Sequence, residues 1–215
     1  MKIWFGWLTA LLVPFALLGL GLRLLMTPAF LQIEYRLPGF PEDAYGFTQQ
    51  DRLRWAPYAL NYLTNDADLS YLGNLTFDDG QPLFNERELR HMQDVKQLTR
   101  VVLRFWLLDL SLLALLGLGA WLIDRLPDYR LGLSRGGWLT VGLVAIVLVL
   151  VAVNFEQLFT QFHRLFFEGD TWLFYFSDTL IRLFPMRFWQ DCFIFTGAFS
   201  LLSGLGLGLG LGLKR

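Results

Sequence analysis

Phe84-Asn-Glu-Arg-Glu-Leu-Arg-His-Met-Gln-Asp-Val-Lys-Gln-Leu98 runs with little interruption into an apolar stretch, Leu103 to Ile123. Asn85 with Glu88 three residues on is a capping box, so a helix is expected to start at Asn85. Leu89, Met92 and Val95 supply an apolar stripe, while Glu88, His91 and Asp94 recur at i, i+3 and i+6 on a second, polar face. No breaker intervenes before Asp124-Arg125 and Pro127. One continuous helix is expected, polar at its start and lipid-compatible at its end.

Composition places that helix. With 54% hydrophobic and only 17% charged residues, and a mean hydropathy of +0.43, the chain does not resemble an ordinary soluble domain. Its apolar residues fall in blocks: Ile3 to Leu24, Leu103 to Ile123, Gly137 to Phe155, and Trp189 or Cys192 to Leu211. Each is near the ~20 residues a helix needs to cross the hydrocarbon core. The expected fold is an all-α transmembrane four-helix bundle with a small extracytoplasmic α+β cap. In order, the parts are a first span (1–26), the cap (27–84), the projecting helix that becomes the second span (85–125), a short loop (126–136), a third span (137–155), an aromatic interfacial segment (156–188), and a last span with its tail (189–215). The first block follows Lys2 but lacks a small-residue cleavage site, and is expected to be retained as a span.

Local charge sets the orientation. Lys2, the loop residues Arg125, Arg130 and Arg135, and the tail residues Lys214 and Arg215 fall in the three short segments, which the positive-inside rule assigns to the cytoplasm. Both termini are then cytoplasmic and the two long polar segments lie outside. Arg23 is placed to snorkel to the outer interface, and Asp109, buried in a span, is expected to face a partner inside the bundle. Cys192 is the only cysteine, which excludes an intrachain disulfide and a cysteine-based metal cluster. No basic stripe or nucleic-acid module is present.

Within the cap, Leu31 to Leu37 alternates like a short strand. Leu69 to Phe77 is expected to be a second, with a turn at Asp79-Gly80. The 156–188 segment carries an aromatic stripe of Phe155, Phe159, Phe162 and Phe166 with His163 beside it, read either as an interfacial belt or as a lipid-handling rim. On the second reading Phe162, Phe166, Trp172 and Arg182 are candidate substrate contacts; Arg23 joins them only through a family resemblance carried by other stretches. The Gly204 to Gly212 run alternates with period two, but an unpaired strand cannot cross lipid. It is expected to be a helix end with two small-residue faces, Gly204/Gly208/Gly212 and Gly206/Gly210.

Chemistry rests on the chain's two histidines. At 1.5 Å per helical residue, His91 stands about 18 Å and His163 about 12 Å outside the hydrocarbon core. Two imidazoles with Glu88, Asp94, Glu156 or Asp170 nearby suit a zinc or iron site, although there is no HxxxH or HExxH motif. They equally suit acid–base catalysis with carboxylate-oriented imidazole. No nucleophile motif is present, so a reaction whose nucleophile belongs to the substrate fits best: transfer from one part of a bound lipid or peptide to another. A metal-dependent membrane hydrolase or metal-binding protein, and a non-enzymatic membrane scaffold, stay open as alternatives.

Three strings carry a resemblance: Phe84 to Lys96; Phe162-His-Arg-Leu-Phe-Phe-Glu-Gly-Asp-Thr-Trp-Leu-Phe174; and Asp178-Thr-Leu-Ile-Arg-Leu-Phe-Pro185. Together they resemble a bacterial four-span membrane family that includes the lipoprotein intramolecular transacylases, over nearly the whole chain. The resemblance implies movement of the sn-2 acyl chain of a lipoprotein's S-diacylglyceryl-cysteine onto that cysteine's own α-amine, giving a lyso-form lipoprotein. It implies His91 as catalytic base, His163 as the group that polarises the ester or protonates the leaving oxygen, and Asp94 and Glu88 as acidic surroundings. Its partners would be diacylated lipoproteins and membrane lipid, with no cofactor, no metal and no nucleic acid, and the protein working as a monomer.

Overall fold

The computed structural model describes residues 2–212, with side chains from residue 5 onward. The Lys2 side chain, Lys214 and Arg215 lie outside the described residues, so the orientation drawn from them stays a sequence argument. Eight helices are assigned within that range: α1 (Lys2–Leu25), α2 (Pro28–Glu34), α3 (Gln49–Thr64), α4 (Ser70–Gly73), α5 (Glu86–Leu122), α6 (Leu126–Phe166), α7 (Thr179–Leu183) and α8 (Met186–Gly212). Of these, α1, α5, α6 and α8 are long and apolar enough to cross a membrane, and the chain is a multi-pass membrane protein. The chain divides into two compact units: residues 1–24, 102–153 and 193–215 form one, and residues 25–101 and 154–192 the other.

The first unit holds the apolar lengths of the four long helices, and small residues set their spacing. A Cβ on Gly137 would stand 2.5 Å from the Gly204 carbonyl oxygen, and one on Gly204 2.8 Å from that of Gly137. The backbones of α6 and α8 therefore touch, an approach that side chains would forbid. Of the two glycine faces on α8, only the first is used. Gly208 lies under Trp138 and Gly212 faces Ser134, whereas Gly206 and Gly210 look into open space. Gly132 and Gly136 meet Thr9 and Val13 of α1 in the same way. Polar groups add directional ties: Ser134 Oγ donates to the Gly208 carbonyl at 3.0 Å, Trp106 Nε1 to Ala16 at 3.0 Å, and Tyr129 OH to Leu113 at 3.1 Å. Asp109 is buried, as lipid avoidance requires, but its Oδ2 has no hydrogen-bond partner.

The second unit is helical, and this corrects the α+β cap. Among the described residues the only β pairing is a single bridge, Thr76 to Pro82, around a turn with Gly80 at φ 83°. The Leu31–Leu37 strand is instead α2 and the turn after it. Thr27 sits in extended backbone as N-cap and Pro28 occupies the first turn, where a missing N–H costs nothing. Ile33 is 62% exposed between buried Leu31 and Tyr35, so the period-two pattern is not the one buried. Phe30, Leu31, Glu34 and Tyr35 are, which is helical spacing. The second expected strand becomes α4 followed by the bridge. The core gathers Phe30, Leu31, Trp55, Tyr62, Leu72, Leu83, Phe84, Met92, Leu183 and Phe188, and Tyr35 OH donates to the Leu183 carbonyl at 3.0 Å.

Two details of the long helices position the site. α5 is capped reciprocally: Asn85 N donates to Glu88 Oε2 at 2.7 Å and Glu88 N to Asn85 Oδ1 at 3.1 Å. In α6, Asn154 leaves helical geometry (φ −159°, ψ 86°), and its Oδ1 accepts from Gln157 N at 3.0 Å. The asparagine thus ends one helical segment and caps the next, which carries His163.

Candidate functional site: a histidine pair in an aromatic box

His91, on the second turn of α5, and His163, near the end of α6, come together within the second unit. Their rings are 6.1 Å apart between centroids and nearly parallel, with 23° between planes, and both are buried. Aromatic rings enclose them. Phe167 lies 5.0 Å from His91 and 5.5 Å from His163, and Phe174 edges onto His91 at 5.2 Å. Phe159, Phe162 and Trp172 approach His163 at 4.1, 5.6 and 5.1 Å.

The two imidazoles differ in their polar partners. His163 Nδ1 is 2.8 Å from the Phe159 carbonyl. A carbonyl only accepts, so Nδ1 carries the proton and Nε2 keeps its lone pair. Burial pulls the His163 conjugate acid below the ordinary imidazole range, and the Phe159 carbonyl opposes that pull. His91 Nδ1 is buried with no hydrogen-bond partner. An orphaned acceptor is tolerated better than an orphaned N–H, which favours the tautomer with Nδ1 bare and the proton on Nε2. Burial first, and His163 second, push the His91 conjugate acid down to about 4. At neutral pH the pair is therefore uncharged, one ring poised to accept a proton and the other to donate a hydrogen bond.

The acidic candidates lie elsewhere. Glu88 is 1% exposed and both its oxygens are taken by backbone: Oε2 by Asn85 N, and Oε1 by Leu180 N at 2.6 Å. It staples the start of α5 to the start of α7. Burial pushes its carboxyl up to about 7 against the effect of those two N–H groups. Asp178 reinforces the staple, accepting from Asn85 Nδ2 at 3.0 Å and Arg87 at 2.8 Å. Asp94 accepts from Thr171 Oγ1 at 3.4 Å and forms no hydrogen bond with either imidazole. The expected carboxylate–histidine pairing is thus replaced by a carbonyl–histidine pairing.

Of the substrate-contact candidates, Phe162 and Trp172 line the box, and Phe166 lies tilted against Phe162 at 4.9 Å with nearly half its surface exposed. Arg182 does not join them: its guanidinium grips Asp43 at 3.1 Å, donates to the Tyr45 carbonyl and lies 3.6 Å over Phe47, holding α7 to the loop before α3. Arg23 belongs to the last turn of α1, in the other unit.

Phe159, Phe167 and Phe174 are the box residues that site reasoning from sequence passed over. The period of the 155–166 stripe includes Phe159, and Phe167 and Phe174 stand in the second of the strings that carry the resemblance, but no periodicity marks either as a box residue. Glu34 was also missed. It is buried with Oε1 unpartnered, and burial together with Asp191 holds its carboxyl well above the usual range. Asp191 is in turn paired to Arg187 at 2.5 Å. Among the described residues, no three His, Cys, Asp or Glu side chains are grouped to hold a metal ion.

A family model described as "Lipoprotein intramolecular transacylase Lit" matches residues 7–189. An uncharacterized protein of Aquifex aeolicus is 30% identical over 195 residues, 91% of this chain and 87% of that protein. The fold is similar to that of the membrane integral lipoprotein intramolecular transacylase Lit from Bacillus cereus, with a TM-score of 0.79 at 18% identity, over 96% of this chain and 92% of that one. A histidine-to-alanine variant of the same Bacillus cereus protein superposes at 0.73 and 19% identity, covering 99% and 92%.

Proposed function

This chain belongs to the lipoprotein intramolecular transacylase family, an enzyme family, and from that premise we propose that His163 and His91 carry the acyl transfer in complementary roles. The substrate is a lipoprotein whose N-terminal cysteine bears an S-diacylglyceryl group. Its neutral α-amine attacks the sn-2 ester carbonyl. As the N–C bond forms, His163 Nε2 takes the amine proton, and His91 Nε2–H hydrogen-bonds to the oxygen that becomes negative. Collapse of the tetrahedral intermediate breaks the ester C–O bond, and the proton on His163 passes to the glyceryl oxygen. The products are an amide and a free sn-2 hydroxyl, and no protein nucleophile is needed.

The observation that carries this assignment is the asymmetry of hydrogen bonding, Nδ1 of His163 on the Phe159 carbonyl and Nδ1 of His91 on nothing. It reverses the roles implied by the resemblance. A His91 with a conjugate acid near 4 is a weak base for an α-amine of pKa ~7.7–8, whereas a neutral imidazole N–H is a serviceable oxyanion donor. The aromatic box, with Phe162, Phe166 and Trp172 on its open side, suits acyl chains and excludes the water that would hydrolyse the ester. Arg23 is retained as a candidate contact for the lipid interface. Asp94 and Glu88 are assigned to positioning rather than to proton transfer.

The charges of Lys2, Arg125, Arg130, Arg135, Lys214 and Arg215 support cytoplasmic termini and a site at the extracytoplasmic face, where diacylated lipoproteins and membrane lipid meet a monomeric enzyme. The test is mass spectrometry of lipoprotein N-termini in cells lacking their usual N-acyltransferase. Lyso-form lipoprotein is expected with the wild-type chain and not with His91→Ala or His163→Ala, each accumulating in membranes. Wild-type levels of product from either variant would refute the assignment.

A further inference from the structure

The imidazole pair explains the ester and the amine but not the polypeptide attached to the same cysteine. A shallow, open cleft of about 370 Å³ is lined by Glu86, Arg87, Arg90, Asp170 and Thr171. It belongs to the same unit as the histidines and is tied to them at both walls. Arg87 and Arg90 precede His91 on α5. Thr171 hydrogen-bonds to Asp94 and adjoins Trp172, whose ring lies on His163.

The side chains around it end in two guanidinium groups, two carboxylates and a hydroxyl, with Arg90 paired to Glu86 at 3.5 Å, while most of the surface they present is aliphatic. Carboxylates argue against a phosphate headgroup here, and guanidinium groups against a cation. Donors and acceptors side by side on aliphatic stems match a neutral chain that presents both, which is the polypeptide main chain. One donor is unspent: the buried Nε of Arg87 has no acceptor, although the same guanidinium pairs with Asp178 at 2.8 Å. The volume lies at the lower end of ligand clefts, roughly 300–1,000 Å³, too small for a folded partner and ample for a short extended segment.

Resting on the transacylase reading, we propose that this cleft binds the first residues after the lipidated cysteine, so that the enzyme reads polypeptide as well as lipid. The reacting cysteine keeps a free α-amine, so its chain leaves only through its carbonyl. With the amine at the imidazoles and the acyl chains in the aromatic box, that carbonyl side enters the polar cleft. Main-chain carbonyls accept from Arg87 and Arg90, and main-chain N–H groups donate to Glu86 and Asp170.

The experiment compares two synthetic substrates with the full-length protein in detergent: S-diacylglyceryl-cysteine followed by a four-residue neutral peptide, and the same lipidated cysteine closed as its N-methylamide. Wild type is expected to show kcat/KM about ten-fold or more in favour of the peptide, as two charge-assisted hydrogen bonds provide. Arg90→Ala with Asp170→Asn, both on exposed side chains, is expected to bring that ratio close to one. Equal kcat/KM for the two substrates in wild type, or an unchanged ratio in the double variant, overturns the proposal while leaving the transacylase reading intact. Turnover of neither substrate by wild type overturns both.

Discussion

Glu88→Gln separates a structural carboxylate from a catalytic one. In the wild type, Oε2 accepts from Asn85 N at 2.7 Å and Oε1 from Leu180 N at 2.6 Å, the latter bond fully buried. Glutamine keeps the shape but offers one acceptor and one NH₂, so one of the two N–H groups faces a donor. Leaving one buried donor unmade costs about 1–3 kcal/mol. Glu88→Ala removes both acceptors, and the same reasoning gives about 2–6 kcal/mol together with loss of the α5 cap. For a chain of this size each kcal/mol lowers Tm by about 2–4 °C. The assay is thermal unfolding of detergent-solubilised protein, with kcat measured on the folded fraction well below the transition. The expected order of Tm is wild type, then Gln, then Ala, with Gln retaining most of its kcat. A Gln variant that melts with wild type yet loses activity 1,000-fold would refute the staple and make Glu88 part of the chemistry.

His163→Ala is expected to lower kcat about 100- to 10,000-fold, the range for a general base. His91→Ala should cost about 100- to 1,000-fold, the range for an oxyanion donor, with His91→Gln recovering part of it through its amide N–H; equal loss in Ala and Gln counts against the donor role. The His91 conjugate acid is lowered to about 4, so stability is fully present above ~6.5 and is lost as pH falls towards 4, by about 3 kcal/mol. His91→Phe should flatten that acid limb in pH-dependent unfolding. Glu34 has the opposite sign: its carboxyl is raised by burial and Asp191, so stability present at low pH is lost as pH rises through the raised value. Glu34→Gln should gain on wild type towards alkaline pH, visible as a widening Tm difference. In the helical unit, Gly137→Ala should destabilise because its Cβ meets the Gly204 carbonyl, whereas Gly206→Ala and Gly210→Ala, opening onto free space, should melt like wild type.

Much of this protein was legible in one dimension. Blocks of apolar residues near the length of a bilayer crossing mark the spans, because a single segment can satisfy its own backbone in lipid only as a helix. The Asn85–Glu88 cap is equally local, since its donors and acceptors lie three residues apart, and the motifs around His91 and His163 identify the family. Within the cap, alternation misleads at 31–37 and 69–77, where burial overrides it. Leu31, Ile33 and Tyr35 read as a strand until packing chose the Phe30, Leu31, Glu34, Tyr35 face instead.

Most of what gives the histidines their roles is tertiary; the exception is the His163 Nδ1 bond to the Phe159 carbonyl, one turn back on α6. Which carboxylate would orient which imidazole depended on contacts between α5, α6 and the 167–180 segment, far apart in the chain. Those contacts sent Glu88 to Leu180 and Asp94 to Thr171, while packing of α7 on the loop before α3 sent Arg182 to Asp43. The imidazoles were left to a backbone carbonyl and to each other. Sequence by itself determined that a membrane helix starting at Asn85 carries His91 and that a second histidine follows the third span. Only the fold decided that the two rings stand 6.1 Å apart in an aromatic box, because ring proximity and desolvation arise from packing and have no periodic signature.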